Sequence, residues 1–206
     1  MRTLILLMGG KSSRMGADKT RLELNGRPII DGIIDELSPH FPEIILSTNE
    51  PERYSRLGLP SVVDEIPGRG PAGGLLSVMN AFPRDRYQVA PCDTPFIDGF
   101  CLARAFDMSE GSDAGILSSP DGFQPLLSSY SFAARDAFER CVNRGVFKIM
   151  ACLDGLNVRK ITVAELGLDD DSWRRFFFNV NSPEDLELAK AMASSGGPAS
   201  ARIDGK

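Results

Sequence analysis

Nine residues, Lys11-Ser12-Ser13-Arg14-Met15-Gly16-Ala17-Asp18-Lys19, carry three cations, two hydroxyls and a glycine, and they directly follow the pair Gly9-Gly10. Glycines let backbone N–H groups approach an anion that a Cβ would hold off, and Lys11, Arg14 and Lys19 supply charge, so the chemistry this stretch suits is phosphate binding. An ordinary turn with solvated cations would have the same composition. Two familiar phosphate loops are excluded. The Walker pattern would place its first glycine at Ile5, and G-x-G-x-x-G fails because Gly9 and Gly10 are adjacent and the next glycine is Gly16.

Two more stretches carry chemistry. Gly68-Arg69-Gly70-Pro71-Ala72-Gly73-Gly74 is the most glycine-rich part of the chain and precedes a helix expected from about Leu75 to Phe82, a second place where backbone amides can hold an anion. A plain surface connection is the competing reading. Cys92-Asp93-Thr94-Pro95 follows an apolar run, and an acid at the C-terminal end of a central parallel strand lies where open α/β sheets bind ligands. Asp93 is the candidate metal ligand, with capping of the next helix as its alternative. His40 is the only histidine, and Cys92, Cys101, Cys141 and Cys152 have no C-x-x-C spacing. A zinc site, a disulfide framework and a Ser-His or Cys-His pair are therefore not expected.

The elements that must position these residues can be read from periodicity. Leu4 to Met8 is a continuous run of five apolar residues that fits a strand buried on both faces. Thr20 to Leu24 is extended and Asn25-Gly26-Arg27-Pro28 a turn; Ile29 to Leu37 has helical spacing, and Glu43 to Ser47 is a second buried strand. Strand, helix and strand in that order make a right-handed crossover and hence a parallel sheet. Pro51 to Leu57 is a short helix, Ser61 to Val63 a third strand ending at Asp64, Tyr87 to Pro91 a fourth, and Asp98 to Phe106 a helix. Further on, Ala114 to Leu117 and Leu126 to Tyr130 are expected as strands, Ser131 to Val142 and Val146 to Leu153 as helices, and Val158 to Val163 as a strand. Ser182, Pro183 and Asp185 have the pattern of an approximate capping box. The domain is expected to end near Met192, leaving 193–206, rich in Ser, Gly, Ala and Pro, as a flexible tail.

The first stretch resembles the signature of the molybdenum cofactor guanylyltransferase family, roughly L-x-G-G-x-S-x-R-M-G-x-D-K, at Leu7, Gly9, Gly10, Arg14, Met15, Gly16, Asp18 and Lys19. Met8 departs from it, standing where alanine is usual. Gly70-Pro71-Ala72-Gly73-Gly74, Cys92-Asp93-Thr94-Pro95, Gln124-Pro125-Leu126-Leu127 with Tyr130, and Phe176-Phe177-Phe178-Asn179-Val180-Asn181-Ser182-Pro183-Glu184-Asp185-Leu186 are similar to further family segments, in the family's order. The resemblance implies an α/β fold: a single Rossmann-like, three-layer domain with a mostly parallel central sheet, of the GT-A-like nucleotidyltransferase type.

It implies as activity the transfer of GMP from GTP to the terminal phosphate of molybdopterin, with pyrophosphate released and Mg2+ as cofactor. Lys19 and Arg14 would act on the triphosphate, and Asp93 would hold the metal and share in nucleotide binding. Leu7, Met8, Gly9, Gly10, Ser47, Asp64 and Gly73 would bind the nucleotide, and Gln124, Pro125, Asn179 and Asn181 the acceptor. Ser47 replaces an asparagine common in the family, with Asn49 two residues on, which leaves that nucleoside contact open. A cytidylyltransferase acting on molybdopterin or a small alcohol phosphate is the nearest alternative, and a non-catalytic nucleotide-binding accessory protein a more distant one.

The net charge of −5 argues against a nucleic-acid or membrane-surface partner, and hydrophobic content of 42% with 25% charged residues is that of a globular protein. With Met1-Arg2-Thr3 ahead of the first strand and no apolar run of spanning length, a cytoplasmic location is expected, with transient contact to molybdopterin-handling proteins.

Overall fold

In the computed structural model, which describes residues 1–8 and 22–195, the strand Thr3–Leu7 (β1) runs through the middle of the molecule with all five residues buried. Its alternating side chains go to two different cores. Leu4 and Leu6 join Ile29, Ile33 and Leu37 on one face; Ile5 and Leu7 join Leu75, Val78 and Phe138 on the other. A strand covered on both sides is what the unbroken apolar run predicts.

After β1 come a short hairpin, Glu23–Leu24 (β2) and Arg27–Pro28 (β3), and the helix Ile29–Leu37 (α1). Asn25 and Gly26 turn that hairpin with φ of 54° and 76°, the positive pair a tight two-residue turn requires. The chain continues through Glu43–Ser47 (β4), a 3-10 turn over Pro51–Leu57, Ser61–Val62 (β5), Gly70–Ala81 (α2), Arg86–Pro91 (β6) and Gly99–Met108 (α3). Then follow Ala114–Ser119 (β7), Gly122–Phe123 (β8), Ser129–Ser131 (β9), Arg135–Asn143 (α4), Val158–Thr162 (β10), Asp170–Phe176 (α5) and Pro183–Ser194 (α6).

The main sheet has the order β10-β7-β9-β6-β1-β4-β5, with β8 paired to β7. β1 is parallel to β4 and β6, β4 to β5, and β7 to β10, while β9 runs antiparallel between β6 and β7. The chain leaves β1 toward β4 and β5 and returns to β6 on the other side. That reversal opens a crevice beyond the C-terminal ends of β1, β4 and β6, the place where such sheets bind ligands. α1 and α3 cover one face, α2 and α4 the other, giving three layers.

Several expectations are corrected. The glycine-rich stretch is not a loop before a helix at Leu75: α2 starts at Gly70, with Pro71 in its first turn, where a missing N–H costs nothing. The strand expected over Leu126 to Tyr130 is displaced, because Pro125–Leu127 forms one 3-10 turn and pairing begins only at Ser129. The Gln124 carbonyl closes that turn, accepting from Leu127 N at 3.0 Å and Ser128 Oγ at 2.7 Å. The helix expected from Ser131 begins at Arg135, since Ser131 still serves β9 and donates its N–H to Asp113 O at 2.8 Å. Val146 to Leu153 is reduced to a 3-10 turn over Ile149–Leu153, because Gly145 takes φ 74° and the Val146 N–H turns back to Cys141 O. α5 was not anticipated. Asp169 caps it by accepting from Ser172 N at 2.9 Å, and Asp170 and Asp171 open its first turn while Arg174 and Arg175 close its last, as the helix dipole favours. The capping box at Ser182 is complete, and α6 runs two residues past Met192.

Gly115 in β7 shows how tightly one helix layer sits. A Cβ there would lie 2.3 Å from Ser109 Cβ and 2.7 Å from Ser129 Oγ. Gly115→Ala is therefore expected to cost about 1–3 kcal/mol by overpacking, read as a lower urea midpoint at unchanged slope. The Cys101 and Cys152 thiols are both pushed up to about 12 by burial, so they stay protonated at neutral pH.

Candidate active site

The crevice at the C-terminal edge has two sides, one on each flank of β1. On the β4–β5 side, Ser47 closes β4 with its side chain buried, and Asp64 follows β5 half-buried. Both reach the first turns of α2. A Cβ built on Gly74 would stand 2.7 Å from Ser47 Oγ and 3.2 Å from Asp64 Oδ1, and one on Gly73 would stand 2.5 Å from Arg69 Cβ. Gly73 and Gly74 thus serve close approach, while Gly68 and Gly70 take left-handed φ of 79° and 61°. Ser77, one turn on, donates to Gly73 O at 2.9 Å and accepts from Glu65 N at 2.9 Å, tying the α2 start to the segment after β5.

On the β6 side, Asp93 is half-buried two residues past the end of β6. Its carbonyl accepts from Val180 N at 2.8 Å, and the fully buried Thr94 donates from Oγ1 to Asn179 Oδ1 at 2.9 Å. Two neighbouring residues of the Asn179-Val180-Asn181 segment thereby clamp the Cys92-Asp93-Thr94 turn. Asn181 is exposed, and its main-chain N–H donates to Asp185 Oδ2 at 2.9 Å within the capping box. Arg175 lies over Phe96 at 4.1 Å from the ring centroid, and Phe96 meets Phe178 at 6.2 Å, so an aromatic cluster backs this side.

Between the two sides, the main chain at the end of β1 is partly committed. Leu7 O accepts from Cys92 N at 3.1 Å, Met8 N donates to Ser47 O at 2.9 Å, and Met8 O accepts from Tyr54 Oη at 3.3 Å. The Met8 side chain is buried in the α1-side core. Gln124 and Pro125 lie at the same sheet edge but farther along, with β9 between β6 and β7: Gln124 N donates to Leu117 O and its Nε2 to Ser119 Oγ at 3.3 Å, and Pro125 O accepts from Tyr130 Oη at 2.7 Å. Gly9, Gly10, Arg14 and Lys19 lie outside the described residues.

The structure thus brings Ser47, Asp64, Gly73 and Gly74 together, and Asp93 with Asn179, while the 3-10 turn of Pro125–Leu127, which follows Gln124, packs on β6 and β7. Two residues not singled out for the site take part in holding it. Thr94 is tied to a residue 85 positions later, a pairing no local pattern announces. Asn49 is bonded to Asp64 on both its amide atoms, which only the adjacency of β4 and β5 makes possible. Among the described residues, no group of three or more His, Cys, Asp or Glu is placed to hold a metal ion, and no helix is long and apolar enough to cross a membrane.

An open, mostly parallel sheet with its crevice at the switch strand, a glycine-rich helix start on one flank and a carboxylate on the other is the architecture of a nucleotidyltransferase. The fold is similar to that in the crystal structure of molybdopterin-guanine dinucleotide biosynthesis protein A from Archaeoglobus fulgidus, over 94% of this chain and 99% of that one, with a TM-score of 0.80 and 28% identity. The chain belongs to the MobA-like NTP transferase domain family, whose match spans residues 4–157. It is 32% identical over 193 residues to a probable molybdenum cofactor guanylyltransferase of Pelotomaculum thermopropionicum, covering 94% of both chains. It is also 32% identical to a molybdenum cofactor guanylyltransferase of Cereibacter sphaeroides, over 91% of this chain and 95% of that one. The protein is accordingly an enzyme, a nucleotidyltransferase.

Proposed function

We propose that the protein transfers GMP from GTP to the terminal phosphate of molybdopterin in the cytoplasm, in a magnesium-dependent reaction. An oxygen of the acceptor phosphate forms the new bond to the α-phosphorus, the bond from that phosphorus to the bridging β-oxygen breaks, and pyrophosphate leaves. The observation that carries the reading is the division of the crevice: a nucleoside side of Ser47, Asp64 and the glycine turn of α2, and a separate Asp93 side clamped by Asn179 and Val180. Relatives named molybdenum cofactor guanylyltransferase are similar to this chain over more than nine-tenths of its length, which supports the reading.

The residues need no general base, because a phosphate nucleophile is already ionised at neutral pH. Nucleotidyl transfer depends chiefly on alignment and on neutralising charge. Ser47 and Asp64 would orient the nucleoside, Lys19 and Arg14 would neutralise the triphosphate, and Asn179, Asn181, Gln124 and Pro125 would place the acceptor. Asp93 fits a magnesium ion: magnesium commonly takes one or two protein carboxylates and completes its shell with substrate phosphates and water. When bound, the ion supplies Lewis-acid polarisation of phosphate oxygens and a template for donor and acceptor. Among the described residues no group of three or more carboxylate, His or Cys side chains is placed to hold the ion, so metal and nucleotide should each bind more tightly in the presence of the other.

Thermal unfolding with GTP, CTP, ATP and UTP, each with and without magnesium, tests this. A ligand at a hundred times its dissociation constant adds about 2.7 kcal/mol, or roughly 5–10 °C for a domain of this size. The expected result is the largest shift with GTP, and a larger one when magnesium is present. A preference for CTP would replace the reading with the cytidylyltransferase alternative.

A further inference from the structure

We propose that Asn49 is a positioning residue of the nucleoside side, fixing the carboxylate of Asp64 so that one oxygen is pinned and the other is presented to the substrate. The inference rests on the reading of that side as the nucleotide site. Asn49 stands two residues past β4, and its side chain is spent on one neighbour. Asn49 Nδ2 donates to Asp64 Oδ2 at 2.9 Å, and Asn49 Oδ1 accepts from Asp64 N at 3.1 Å. One planar amide thus spans main chain and side chain of the same residue, which closes a ring and sets the carboxylate torsion as well as the position of the chain after β5.

The consequence falls on the other oxygen. Asp64 Oδ1 is 3.2 Å and Ser47 Oγ 2.7 Å from the point where a Gly74 Cβ would be, so the two oxygens converge over a patch of helix that carries no side chain. A carboxylate oxygen beside a hydroxyl accepts from paired donors on a ligand. In a purine ribonucleotide the candidate donors are the ribose hydroxyls and the N–H groups of the base. A carboxylate free to rotate would lose this aim. The rigidity given to Asp64 by Asn49 supplies orientation that the Ser47 hydroxyl alone would not.

The test compares wild type, N49A and N49D, using whichever of GTP, CTP, ATP and UTP the wild type binds most tightly. N49A should raise KM and the dissociation constant for that nucleotide about 10- to 100-fold, with kcat within about threefold, since ground-state orientation is lost and the reacting groups are untouched. N49D should be worse than N49A, because it keeps the bond to Asp64 N but sets a second carboxylate against Oδ2. A residue that merely shapes the chain would give the opposite order, as aspartate preserves size and the main-chain bond. Unliganded stability should change little in both variants, the position being exposed. The same assay with 2′-deoxy-GTP and ITP shows which donor Asp64 reads, since the loss on N49A shrinks for the analogue lacking it. Unchanged KM in both variants, or N49D better than N49A, overturns the inference. If the preferred nucleotide is not GTP, the guanylyl reading falls while the order of the variants still decides the role of Asn49; if no nucleotide binds the wild type, both fall.

Discussion

Replacing Asp93 by asparagine is expected to lower turnover by about a thousandfold while leaving thermal stabilisation by GTP alone nearly unchanged. The substitution keeps side-chain size and leaves in place two contacts of the turn that do not involve the carboxylate: Val180 N donates to the Asp93 main-chain carbonyl, and Thr94 Oγ1 to Asn179 Oδ1. What is lost is the negative charge two residues past β6, where the metal is proposed to bind. If metal polarisation contributes about 4 kcal/mol to the transition state, its loss corresponds to about three orders of magnitude in rate. The extra stabilisation by GTP that requires magnesium should disappear with it. Steady-state rates and paired melting curves check both halves. Turnover within tenfold of wild type would remove Asp93 from the reaction, and a protein that binds nucleotide without turning it over would show no rate to lose.

Phe138→Ala should give the largest loss of stability, about 3–5 kcal/mol. Phe138 is fully buried in α4, edge-on to Tyr130 with ring centroids 5.3 Å apart and planes at 77°. Tyr130 in turn donates to Pro125 O, and α4 packs on α2, whose first turn builds the nucleoside side. The cavity therefore opens behind the site. Against a typical total of 5–15 kcal/mol, such a loss lowers the melting temperature by about 10 °C or more. Saturating GTP with magnesium should recover part of it, because ligand binds only the folded chain. A loss below about 1 kcal/mol in urea unfolding would mean that the layer collapses around the gap.

Elements set by one local pattern were legible in the sequence. β4 and α1 have the bounds that apolar spacing predicts, and the capping box at Ser182 is complete. Elements were misread where tertiary contact overrides local propensity. Glycines at 70, 73 and 74 argue against helix, yet α2 begins there: Pro71 suits a first turn, Gly70 takes φ 61°, and Gly73 and Gly74 stand where Arg69 and Ser47 leave no room for a Cβ. β9 is three residues long and antiparallel in a parallel sheet, and nothing near Ser129 signals that insertion between β6 and β7. At the site, Ser47, Asp64 and Asp93 were found as strand-end residues. Their positioning partners, Asn49 and Thr94, were not, because each acts across a strand pairing or a separation of 85 residues that spacing does not encode.

The central claim is the transfer itself, and it is tested by supplying GTP labelled at its α-phosphorus with molybdopterin and magnesium. The account predicts that label enters the pterin product in step with pyrophosphate release, that GTP far exceeds CTP as donor, and that omitting the acceptor stops both. Label appearing in the product faster from CTP, or pyrophosphate released at the same rate without molybdopterin, would contradict it.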